Sequence, residues 1–263
     1  MWPKGVQSAA SFTFDVDAET AWSGEGLAWG IPYGVYGAKV GVPLILSVLA
    51  RHSIKATFFV PGMTAERYPH AVESILAGGH EIGAHGYSHN PPNAMTMEQE
   101  EEELTRSLDI LQRLGAKPTG WRTPWAMDSV HTNRLLLKHG LRYLSTNVDS
   151  LMPYRYPETD LIEIPCSFTV DDWDTYGFGG GRWPCPTNSD VLELWGDEFE
   201  GIHELGAVFI PIMHPQNTGR PARIKLLDRL ISFVESHSGV WITTCGEIAE
   251  HVDKVMPRNR PPA

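Results

Sequence analysis

Short apolar runs rich in β-branched and aromatic residues alternate along this chain with longer amphipathic stretches, and this alternation restricts the fold more than any other feature. Strand-like runs fall at Ser11–Asp17, Lys55–Val60, His80–Gly86, Gly120–Pro124, Tyr143–Thr146, Ala207–His214 and Val240–Thr244. Helix-like segments lie between them at Val42–His52, Ala65–Ala77, Met97–Leu114, Val130–His139, Asp190–Leu205 and Pro221–His237. Thr96 followed by Gln99 has the form of a capping box and marks the start of one of these helices. Such alternation implies a parallel sheet covered by helices. The similar spacing of the strands, and the lack of GxGxxG after the first, favour a closed α/β barrel over an open doubly wound sheet. Residues 1–263 are read as a single catalytic domain. Two long connections interrupt the pattern, Ala18–Gly41 and Pro153–Pro186, the second with a short strand near Leu161–Pro165. Long aromatic loops in a compact domain are usually functional.

Charge and composition narrow the class. A net charge of −11 with no basic cluster argues against nucleic acid or an anionic membrane as partner and leaves a small molecule. The N-terminus has no basic start followed by an apolar run, and no stretch of about 18 apolar residues is read as a bilayer span. Cys166, Cys185 and Cys245 are widely spaced and outside any CxxC pattern, as expected of free thiols in a cytoplasmic protein.

Candidate chemistry gathers at the carboxyl ends of the strands, the end where barrel enzymes place their active sites. The first strand ends in FTFDVDAE; period 2 puts Asp15 and Asp17 on one side. The third leads into HEIGAHGYSHN, where His85 and His89 can reach one ion, and two histidines with a carboxylate form a recurring catalytic metal set. His80, at the opposite end of that strand, is read as structural. The fourth leads into GWRTPW, giving Arg122 to hold a carboxylate ionised and Trp125 as a flat apolar wall. His214 closes the apolar strand of AVFIPIMHP and is a proton-transfer candidate. Alternation brings all of these to one face.

Together, FTFDVDAE, HGYSH, WRTPW and IMHP resemble the motifs of the polysaccharide deacetylase superfamily (the NodB-homology or carbohydrate esterase 4 group) from Phe12 to His214. The resemblance implies a distorted (β/α)7–8 barrel with Asp15 as base, a metal held by Asp17, His85 and His89, Arg122 orienting Asp15, and His214 protonating the leaving nitrogen. The implied metal is Zn2+, with Co2+ or Ni2+ as substitutes. Two departures, the split acids of DVD and Gly86 in place of Ser or Thr after the first histidine, are similar to a subgroup of cyclic imidases, allantoinases and peptidoglycan-deacetylase-like proteins. That subgroup implies a homotetramer.

The expected activity is therefore metal-dependent hydrolysis of a non-peptide carbon–nitrogen bond. With Trp22, Trp29, Tyr33, Tyr36, Trp173, Tyr176 and Trp183 in the long connections, Trp22 and Trp173 join Trp125 as expected substrate contacts. An enclosed apolar pocket suits ring opening of a small cyclic amide or imide. The alternatives are N-deacetylation of an acetylated amino sugar and a carbohydrate-binding relative without catalysis.

Overall fold

The computed structural model describes residues 1–22, 28–176 and 185–258. Its strands are β1 (Ser8–Ala10), β2 (Thr13–Asp15), β3 (Thr57–Val60), β4 (Glu81–Ala84), β5 (Gly120–Trp121), β6 (Tyr143–Leu144), β7 (Tyr154–Arg155), β8 (Ile162–Glu163), β9 (Val208–Phe209), β10 (Ile212–Met213) and β11 (Val240–Ile242). Eight of them form a sheet in the order β10-β2-β3-β4-β5-β6-β8-β7, parallel throughout except for the β7–β8 pair. A smaller sheet, β11-β1-β9, extends the line of β2 and β10 towards their amino ends, since β1 leads into β2 and β9 into β10.

The sheet closes on itself without a regular ladder between β8 and β10. The segment after β8 spans the gap: Ser167 N–H donates to the Ile210 carbonyl (2.9 Å), Ile210 N–H donates to Ser167 Oγ (3.0 Å), and Asp171 bridges to Ile212. This seam makes the barrel distorted, as the resemblance implied. The strand expected over Ala207–His214 is broken at Pro211, which has no N–H for a ladder.

Alternation along each strand produces two cores. Phe12, Phe14, Phe58, Val60 and Ile82 face outward under the helices, with Phe14 stacked on Phe58 at 4.9 Å. Ala9, Phe59, Tyr143, Ile162, Val208 and Ile210 fill the barrel interior. Glu81 lies at the amino-terminal end of the interior, bound by Thr57 and Tyr143. His80 is at that same end, where its Nδ1 accepts from Ala56 N–H at 3.2 Å, far from the paired acids.

The expected helices are present. Val42–His52 has the bounds read from its pattern, and Thr96 and Gln99 form a reciprocal capping box on Met97–Arg113. Ala65–Ala77 is instead two helices, Gly62–Arg67 and Pro69–Ala77. The largest correction concerns Ala18–Gly41, expected as an irregular loop. Ala18–Trp22 is a 3-10 turn, and Ala28–Gly30, Ile31–Tyr36 and a π turn at Gly37–Gly41 run directly into Val42–His52. Glycine and proline in this stretch hide the helix from propensity reasoning. By length and composition alone, Ala28–His52 could also cross a bilayer, which the loop assignment concealed.

In the fold this helix lies against two backbones that carry site residues. A Cβ at Gly34 would fall 2.4 Å from the Ala18 carbonyl carbon, and one at Gly41 would fall 2.2 Å from the Pro215 carbonyl oxygen. The helix therefore braces the turn after Asp17 and the turn after His214 together. Gly41→Ala should cost about 1–3 kcal/mol, because backbone rather than a mobile side chain must move. Turnover should fall further than the loss of stability accounts for. Urea unfolding with assays at a temperature where the variant is folded checks this, and a variant matching wild type in both would refute the close approach.

Candidate active site

The turn after β2 carries Asp17, whose main-chain carbonyl is fixed by Thr20 Oγ1 (2.7 Å), Thr64 Oγ1 (2.7 Å) and Thr20 N–H (3.1 Å). Its side chain is treated very differently. Oδ1 is buried with no hydrogen-bond partner, 3.5 Å from His85 Nε2 and 3.7 Å from His89 Nε2. These distances are too long for hydrogen bonds. They fit donors sharing one cation, since tetrahedral bonds of about 2.1 Å leave neighbouring ligand atoms about 3.4 Å apart. His85 Nδ1 donates to the Arg122 carbonyl at 2.7 Å, which turns the lone pair of Nε2 towards Asp17. Burial pushes the Asp17 carboxyl up to about 8, opposed by His214, and burial lowers the pKa of both His85 and His89. Neutral imidazoles around an unpartnered carboxyl are the donors a divalent cation requires.

Asp15, one pleat earlier, is held from behind. Arg122 NH1 donates to Asp15 Oδ1 and to Thr13 Oγ1, each at 2.8 Å, leaving Oδ2 3.9 Å from His85 Nε2. The remaining guanidinium donors reach Ser145 O (2.7 Å), Ser145 Oγ (3.0 Å) and Cys166 Sγ (3.4 Å). Burial opposes the arginine's charge, but its neighbours, Asp15 foremost, together outweigh it, and the guanidinium pKa lies above its ordinary value.

On the opposite side, His214 Nδ1 bonds Asp172 Oδ1 at 2.7 Å and its Nε2 lies 3.7 Å from Asp17 Oδ2. Asp172 is fully buried and also accepts from His214 N–H (3.0 Å), Thr218 Oγ1 (2.7 Å) and Asn217 Nδ2 (3.3 Å). Burial alone would favour neutral imidazole, but the surrounding acids, Asp172 foremost with Asp17 and Asp171, more than offset it, and the His214 pKa is raised to about 10.

These groups open into one cavity of about 460 Å³. The structure thus brings together Asp15, Asp17, His85, His89, Arg122 and His214, with Trp125 and Trp173 on the walls. Trp173 lies 5.2 Å from the His214 ring and Trp125 lies 5.4 Å from the His89 ring. Trp22, expected as a substrate contact, does not line the cavity. It is buried behind Trp173, at 5.5 Å, because the helix starting at Ala28 presses Gly30 onto it. Trp29 and Tyr33 are exposed and also off the wall, and Trp183 lies outside the described residues.

Sequence reasoning missed Asp172, Asp171, Ser145 and Phe168. The first two were within reach, since VDDW sets paired acids beside an aromatic just as FDVD does. Ser145 has no such signal; it matters only through strand adjacency.

The chain was compared with known proteins. Residues 29–144 match the polysaccharide deacetylase family. A peptidoglycan deacetylase from Helicobacter pylori is 32% identical over 95% of this chain and 98% of its own length. A Mycobacterium smegmatis structure assigned to the polysaccharide deacetylases superposes with a TM-score of 0.92, at 36% identity over 100% of this chain and 97% of its own. An allantoinase structure superposes with a TM-score of 0.86, at 26% identity over 97% of this chain and 93% of its own.

One cavity wall, Thr146–Val148, hangs on a buried carboxyl. Glu163 Oε1 accepts from Thr146 N–H (2.7 Å) and Asn147 N–H (2.8 Å), and Oε2 accepts from Tyr156 O–H (2.9 Å). Burial raises its pKa from 4.5 to about 7. Between these values the folded protein keeps a proton that the unfolded chain has released. The resulting stability is complete below pH 4.5 and lost as pH rises through about 7. Glu163→Gln removes this titration. Relative to the variant, wild type should lose stability between about pH 5 and about pH 8 in urea titrations. A constant difference would contradict the assignment.

Proposed function

On the premise that this chain belongs to the polysaccharide deacetylase family, and so is a hydrolase of non-peptide carbon–nitrogen bonds, we propose that it cleaves an amide by water attack, using a divalent cation held by Asp17, His85 and His89. The unpartnered, buried Asp17 Oδ1 facing Nε2 of both His85 and His89 is the observation that carries this reading. When bound, such a cation polarises the scissile carbonyl and acidifies a water; zinc suits the donor set. The chain's own residues do the rest. Asp15, locked through Oδ1 by Arg122, offers Oδ2 to the cavity and takes the proton of the attacking water. His214, kept as imidazolium by Asp172, points Nε2 inward and gives its proton to the departing nitrogen. Water is consumed, the carbon–nitrogen bond breaks, and a carboxylic acid and an amine remain.

For the substrate, deacetylation of an N-acetylated amino sugar has more support than the expected ring opening. The relative with 32% identity along nearly its whole length is a peptidoglycan deacetylase. Ring opening of a small cyclic amide or imide is the second reading. Trp125 and Trp173 wall a cavity of about 460 Å³, and the allantoinase shares the fold over 97% of this chain.

His85→Ala should lose most bound metal while remaining folded, whereas Asp15→Asn should retain metal and lose turnover by about 10²-fold or more. Metal retained stoichiometrically by His85→Ala, measured by plasma emission, would place the cation elsewhere. Assays of N-acetylglucosamine oligomers beside succinimide and hydantoin separate the substrates. Acetate release without ring opening is expected; ring opening alone would reverse the order of the two readings.

A further inference from the structure

The turn carrying His85 and His89 is held in an unfavourable backbone shape. Gly86 has φ +69°, and His89, which has a Cβ, has φ +65°. A non-glycine residue there persists only when its surroundings over-determine it. The carbonyls of Gly86 and Tyr87 accept from the first N–H groups of helix Gly62–Arg67, Gly62 (2.9 Å) and Met63 (3.0 Å). Trp125 Nε1 donates to the His89 carbonyl at 3.2 Å. The amide side of the turn depends on one atom. Glu103 Oε2, from helix Met97–Arg113, accepts from Ser88 N–H (2.7 Å), Ser88 Oγ (2.8 Å) and Tyr87 N–H (3.2 Å).

We propose that Glu103 is a positioning residue that sets the separation of His85 and His89 and thereby the affinity of the site for its cation. Glu103 lines none of the catalytic cavity, so it acts only through the turn. Gly86 has no side chain to brace the turn itself, and its positive φ disfavours any residue that could. The three donors between the two histidines converge on Glu103 instead. Oxygen position rather than charge is what the turn uses, since all three bonds end on a single acceptor.

The inference rests on the cation reading, and its test separates the two. Zn2+ affinity of the purified full chain is measured by competition with a chromogenic chelator. Glu103→Gln keeps the acceptor at the same reach and loses the charge. Glu103→Asp keeps the charge and withdraws the acceptor. Glu103→Gln should bind Zn2+ within about threefold of wild type, while Glu103→Asp and Glu103→Ala should bind about 10–100-fold more weakly. Should Glu103→Ala fail to fold, the Gln and Asp variants carry the comparison. Wild-type affinity in Glu103→Asp, or a loss in Glu103→Gln as large as in Glu103→Asp, would overturn the positioning role. A wild-type protein that takes no Zn2+ would overturn the cation reading itself.

Discussion

The buried guanidinium of Arg122 is the interaction on which the rest of the site depends. It lies on the Phe59 ring at 4.3 Å and joins Thr13 and Asp15 of β2 to Ser145 after β6 and to Cys166 of the seam. The same residue's N–H bonds the Ala84 carbonyl, and its own carbonyl receives His85 Nδ1. One residue thus fixes the Asp15 carboxylate, the tautomer of His85 and the closure of the barrel. Removing one partner of a buried ion pair typically costs 3–5 kcal/mol, because the remaining charge is stranded. That cost makes the arrangement rigid where chemistry needs it.

Two carboxylate–histidine clusters lie side by side, and hydrogen bonding assigns them different work. Asp171, Asp172 and His214 are close enough to suggest a second cation site. Asp172, however, already has donors on both oxygens, with His214 Nδ1 on one and His214 N–H and Thr218 Oγ1 on the other. Asp17 Oδ1 has no donor, and the His85 Nε2 facing it carries a lone pair, since Nδ1 of that ring donates to the Arg122 carbonyl. The proposed roles follow this difference: the satisfied Asp172 orients His214, and the unsatisfied Asp17 is left for a cation. The pair Asp15 and Asp17 is divided in the same way, since only Asp15 is neutralised by arginine.

Much of this was legible in the sequence. Period 2 in FDVD, the spacing of HGYSH, and the apolar runs before WRTPW and IMHP place six polar side chains at one end of a parallel barrel. Local chemistry writes these signals, and the structure brings the six residues together. The aromatic connections were harder to read. Ala28–Gly30, Ile31–Tyr36 and Gly37–Gly41 are helical, with Gly34 and Gly41 against neighbouring backbones, a tertiary contact invisible to propensity. Trp22 was misplaced for the same reason, since the wall it was expected to form is covered by Trp173. Asp172 and Glu103 are far in sequence from the residues they hold, 42 positions in one case and 15 in the other. Only topology joins such pairs, although the acids of VDDW were open to the argument made for FDVD.

The central claim is that Asp17, His85 and His89 form the cation site and that the neighbouring acid–histidine cluster does not. Anomalous scattering at the zinc edge, from crystals equilibrated with Zn2+, tests it most directly. The account predicts one strong peak about 2.0–2.2 Å from Nε2 of both histidines and from an Asp17 carboxylate oxygen. A peak centred instead between Asp171, Asp172 and His214, or no peak in the cavity, would contradict it.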